Sequence, residues 1–163
     1  MRWLDETYRK KFVPGGFGEN ISCSQMNETN VCLGDRYQMG TAIVEVSQAR
    51  QPCWKLNLRF GHPQISKLTQ DHKKTGWYYR VLQEGQVTTG DSIILLERPL
   101  PDWPLDRLLH VLYHEPLNFS LLEEMTQLEP LAQSWKQTIM TRLETGQVEN
   151  WDKRLYNNYS SEQ

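Results

Sequence analysis

Residues Ser47 to Asn57 read SQARQPCWKLN and set one thiol among cations and amides. Cysteine is ordinarily a small buried hydrophobe, and Arg50, Gln51, Lys55 and Asn57 are unusual company for one. Cys53 follows Pro52 where the chain leaves a predicted strand. At a strand-to-helix turn, free backbone N–H groups and nearby cations such as Arg50 and Lys55 favour the thiolate. A thiolate so placed is a nucleophile or a soft-metal ligand. The alternative is a structural, buried Cys53 with both cations on the surface, because neighbours in sequence need not be neighbours in space.

Other polar residues divide the same way. Arg50, Lys55, Asn57, Arg59 and Arg80 could form an anion site, since the arginine fork matches phosphate. Arg80 lies between Tyr79 and Val81 in GWYYRVL, so it must pair, face a pocket or point to solvent. Glu19, Asn20 and Ser22 in GENIS are turn groups, either ligands or a local hydrogen-bonded feature. Cys23 and Cys32 read as structural and buried. His110 and His114 have the i, i+4 spacing of zinc ligands but no third partner, which favours face and capping roles. No Ser-His-Asp arrangement is legible, and PGGFG at Pro14 to Gly18 is not a phosphate-cradling glycine loop.

These residues need elements to hold them. Trp3 to Phe12 has the spacing of a short helix, stopped by Pro14, Gly15 and Gly16. Asp35 to Met39 and Thr41 to Ser47 flank Gly40 as a hairpin, and TAIVEVS is the clearest strand. His62 to Lys74 has helical spacing. Gly76 to Leu82 reads as a strand, Val87 begins a short one, and Ser92 to Glu97 reads as a buried one. Pro99, Pro101 and Pro104 predict a stiff linker. Beyond it, Leu105, Leu108, Leu109 and Leu112 line one helix face. Ser120 and Glu123 predict a capping box. Leu131, Trp135, Ile139 and Leu143 recur every fourth residue, with Gly146 as C-cap. Trp151 and Leu155 could dock an otherwise fraying tail.

The fold class is therefore mixed β and α. A β-rich body spans residues 1–98, and a linker with about three helices spans 99–163. The 163 residues suffice for a real core, and six tryptophans argue for packed structure. A net charge of −2 gives no global steering to nucleic acid. Three cysteines without a CxxC pair fit neither a disulfide framework nor a four-ligand zinc site. With no apolar leader and no segment of membrane-spanning length, the chain reads as soluble and cytoplasmic.

Taken in order, the segments GENIS, VCLGD, EVSQ, PCWKL, GWYYRV and Gly90-Asp91 resemble a MOSC domain, the C-terminal domain type of molybdenum cofactor sulfurase. Leu131, Trp135, Lys136 and the Trp151-to-Arg154 stretch resemble the three-helix extension of its stand-alone bacterial branch. The resemblance implies a β-barrel-like body and a molybdenum–pterin cofactor (molybdopterin) whose metal is held by Cys53. It also implies reduction of N-hydroxylated compounds, such as hydroxylaminopurine-type base analogues, with electrons from a partner protein. Arg50, Lys55 or Arg80 would then meet the pterin phosphate, and Glu19, Asn20, Ser47 and Asn57 are the remaining cofactor-binding candidates. A sulfur-carrier or cofactor-binding module using Cys53 without turnover is the second expectation. Strands that precede GEN in the family are missing here, so an N-terminally truncated barrel with exposed edges is also expected. Such a barrel would pair as a homo-oligomer or persist as an inactive remnant.

Overall fold

A computed structural model of the chain describes residues 12–157. The helix expected over Trp3 to Phe12 falls almost wholly outside that range. Strands β1 (Arg36–Met39) and β2 (Ala42–Ala49) form the expected hairpin, turning at Gly40 with φ +54°. A Cβ at Gly40 would collide with the Gln86 carbonyl, so only glycine fits this turn. Strands β3 (Trp77–Gln83) and β4 (Ile93–Glu97) complete an antiparallel sheet in the order β3-β2-β1-β4. The sheet is open rather than closed on itself.

That order corrects two expectations. β4 is a strand but not a buried one: Ile94 is 50%, Leu95 44% and Leu96 50% exposed, as is Val81 on β3 at 59%. An all-apolar run reports extended chain, but β3 and β4 are the two edges of an open sheet, where their outer sides meet solvent. No strand forms at Val87. The Thr88 amide and the Asp91 carboxylate close a turn there instead, and the Gln86 carbonyl takes the Thr41 amide.

Two short helices, α1 (Lys55–Phe60) and α2 (Ile65–Asp71), follow β2. The helix expected from His62 to Lys74 is thus shorter at both ends. Helix α3 (Leu105–His114) buries the predicted leucine face completely. Helix α4 (Phe119–Thr126) is capped by Asn118, whose Oδ1 accepts the Leu121 amide, so the expected Ser120 box does not form. Helix α5 (Gln133–Thr145) ends at left-handed Gly146 as predicted, and a short α6 (Asp152–Tyr156) follows.

The proline-rich segment is not a spacer between two bodies. Trp103 is buried, its carbonyl accepts the Leu33 amide, and the Leu105 amide donates to Val31. One continuous apolar core therefore joins Val44 and Val46 of the sheet to Leu108, Leu122 and Ile139 of the helices. Asp35, wholly buried, pins the crossing: its carboxylate takes a two-pronged bond from Arg98 at 2.7 and 2.8 Å, plus the Cys32 amide and the Tyr37 hydroxyl.

Candidate functional site

β2 ends at Ala49, and Arg50 to Cys53 carry the chain to Trp54, the N-cap of α1. The β-branched run stops there, and Pro52 cannot continue a ladder. Pro52 is buried, and Cys53 is a free, half-buried thiol at the mouth of this turn. Lys55, two residues on, is exposed.

Arg50 is fixed from both ends. Its amide donates to the Gly76 carbonyl at 2.9 Å, and its Nη1 donates to the Phe17 carbonyl at 2.6 Å. Arg59 reaches the Gly15 carbonyl of the same turn. From within that turn, Glu19 accepts the Gly15 amide at 2.7 Å and the Phe17 amide at 2.9 Å. Glu19, Arg50 and Arg59 thus converge on residues 15–19. Phe12, Phe17 and Phe60 support them from below, with ring centroids 4.6 to 5.5 Å apart, over Leu56 and Ile65.

The remaining candidates are placed differently. Asn57 has both ends of its amide engaged internally, with the Leu155 carbonyl and the Ser66 amide. Ser47 is buried at a register break of β2 and donates to the Tyr78 carbonyl. Asn20 is exposed. Arg80 is committed to Glu45 at 2.8 Å, beside a second bond from Arg36. Glu45 lies four residues before the end of β2, about 13 Å along a strand, so Arg80 is held away from the Cys53 turn.

Cys32 is buried as expected, and burial pushes its thiol up from the ordinary value, keeping it protonated. Cys23 is exposed, not buried, because the segment around it runs along the surface without a strand. His110 and His114 stack at 5.3 Å, and His110 meets Glu115 at 2.9 Å. Among the described residues, no cluster of three His, Cys, Asp or Glu could hold a metal ion. No helix among them is long and apolar enough to cross a membrane.

Arg154 is the residue that sequence reasoning missed. Its Nη1 donates to the Pro52 carbonyl at 2.6 Å, and its own carbonyl accepts the Trp54 amide at 2.7 Å. Its Nη2 donates to the buried Gln70 side chain at 2.7 Å. The signals were the resemblance carried by the Trp151-to-Arg154 stretch and the proposed docking of Leu155, which is indeed buried. Nearby Tyr113, 5.8 Å below the Arg154 guanidinium, has its hydroxyl pushed up to about 12, mainly by burial.

The sequence matches the MOSC domain over residues 1–94 and a YiiM-like, 3-alpha helix domain over residues 103–146. Protein YiiM of Escherichia coli is 33% identical over 145 residues, covering 89% of this chain and 64% of that protein. A protein of Gibberella moniliformis named "Reductase" is 43% identical over 115 residues, 70% of this chain and 20% of its own length. The chain thus spans less than two thirds of these relatives. The crystal structure of YiiM from Escherichia coli superposes with a TM-score of 0.90 at 30% identity, covering 95% of this chain and 78% of that one.

Proposed function

The chain belongs to the MOSC domain family, and from that premise we propose that it is a molybdenum-cofactor oxidoreductase acting on N-hydroxylated compounds, with Cys53 as the protein ligand of the metal. The observation that carries this reading is the Cys53 turn, with a free, half-buried thiol that lies in the chain between Arg50 and exposed Lys55. The donor set fits the group. A thiolate is a soft, charge-donating ligand for a high-valent metal, and a pterin phosphate calls for cations. Of the five N–H donors a guanidinium carries, the Nη1 of Arg50 goes to Phe17, and others remain for an anion. At Gly15 and Gly18 a Cβ would meet nothing within 4 Å, so this backbone borders open space.

Each residue then has a task. Cys53 holds the metal, while Arg50 and Lys55 seat the phosphate. Glu19 orders the turn that Arg50 grips, which fixes that guanidinium before the cofactor arrives. Asn57 ties α1 to α2 and α6 from inside. When bound, the cofactor supplies the redox chemistry. Overall, an N–OH group, two electrons and two protons become N–H and water. The electrons come from a separate donor protein, and the substrate is a small molecule such as a hydroxylaminopurine-type base. The name of the Gibberella relative is in keeping with a reductase.

The test is elemental analysis for molybdenum on protein made in a host that produces the cofactor. Wild type should carry it, and Cys53→Ser should lose it while keeping its fold. Full molybdenum occupancy in Cys53→Ser refutes the assignment.

A further inference from the structure

We infer that Arg154, on the C-terminal helix, is the positioning residue for the Cys53 thiol. The inference rests on the cofactor reading above for its consequence, but its geometry is independent of any ligand. The Pro52 carbonyl belongs to the peptide group before Cys53, and the Trp54 amide belongs to the one after it. Arg154 bonds both, through Nη1 at 2.6 Å and through its own carbonyl at 2.7 Å. A residue's φ and ψ are the rotations between its Cα and those two peptide planes. Fixing both planes therefore fixes the direction in which Cβ leaves the backbone and restricts the sulfur to the χ1 rotamers which that backbone allows. The plane after Cys53 is held from within α1 as well, where the Leu56 amide donates to the Cys53 carbonyl at 3.0 Å, whereas the Pro52 carbonyl before it is bonded by the Arg154 guanidinium from another helix.

Arg154 can do this because it is itself held. Its Nη2 bonds to fully buried Gln70 at 2.7 Å. The next carbonyl, of Leu155, is gripped by the Asn57 amide and the Ser66 hydroxyl, both at 2.7 Å. The C-terminal helix is thus a brace for the cysteine turn. A ligand that must meet a metal benefits from a stem held in one direction before binding.

The experiment uses the full chain, with Cys53 alkylation by iodoacetamide followed by peptide mass analysis, and molybdenum content as a second readout. Arg154→Ala should change the Cys53 alkylation rate by about fivefold, the effect of one hydrogen bond, and lower molybdenum occupancy. Arg154→Lys keeps a cationic donor for the Pro52 carbonyl and should recover part of both. Ser66→Ala loosens the same helix one bond removed from the peptide groups of Cys53 and should shift the alkylation rate by less than Arg154→Ala does. Equal rates in wild type, Arg154→Ala and Arg154→Lys overturn the inference. So does a Ser66→Ala shift as large as that of Arg154→Ala, which would make Arg154 a general anchor. If wild type holds no molybdenum while the alkylation pattern appears as described, the cofactor reading fails and the positioning role stands.

Discussion

Removing the Glu149 carboxylate should cost more stability than removing the arginine it binds. Arg142 is 1% exposed, whereas Glu149 is 41% exposed. The guanidinium gives Glu149 two bonds, 2.8 Å from Nε and 2.6 Å from Nη2, and gives a third to the Leu112 carbonyl at 2.8 Å. Glu149→Ala strands a buried charge with the Leu112 carbonyl as its remaining partner, which costs about 3–5 kcal/mol. Arg142→Met removes that charge and keeps much of the volume. Glu149 then hydrates, and the loss is one stranded carbonyl, about 1–3 kcal/mol. The gap of about 2 kcal/mol corresponds to roughly 5 °C in Tm for a chain of this size. Urea unfolding followed by tryptophan fluorescence reads it directly, provided the variants share one slope against denaturant. The pH dependence follows from the same pair. Burial works to raise the Glu149 carboxyl, but bonds from Arg142 and Trp151 hold it below its ordinary 4.5. Its contribution is therefore complete above 4.5 and is lost as pH falls through the lower folded value. The deficit of Glu149→Ala should shrink in that acid range. An Arg142→Met variant as unstable as Glu149→Ala, or an acid-independent gap, would refute the reasoning.

Alkaline unfolding should follow three phenols that burial pushes up, those of buried Tyr37 and Tyr113 and half-buried Tyr79. Burial pushes Tyr79 and Tyr113 up to about 12 from an ordinary 10, so their stabilisation is whole below pH 10 and disappears between 10 and 12. A melting temperature that stays flat across that interval contradicts this. Leu95→Lys on β4 places a charge on an exposed edge strand, where Leu95 is 44% exposed. It should lower the weight-average mass in sedimentation at high concentration without changing the melting temperature, and an unchanged mass would show that this edge does not associate.

What was legible in the chain was what local spacing decides. The face of α3 is set by leucines three and four apart, and it is buried as the spacing requires. β2 and the turn into α1 follow from a β-branched run ended by a proline, so the thiol at the turn could be singled out from its neighbours alone. β4 was legible as a strand but not as an exposed one, because periodicity reports conformation while exposure depends on which strands lie beside it. Asn118 and Ser120 are both good cap residues, and the choice fell to the position where α4 meets the core. The convergence of Glu19 and Arg50 on one turn joins segments 31 residues apart, and no pattern of either segment announces it. The extreme case is Arg154, which bonds Pro52 across 102 residues. It resembles any tail cation until Leu155 docks and α6 lies against the cysteine turn. A reactive side chain is marked by the residues next to it in the chain, but what aims it comes from wherever the fold returns. The polar support of a site is accordingly the part of function least available to reading along a sequence, and the part on which the Cys53 reading now turns.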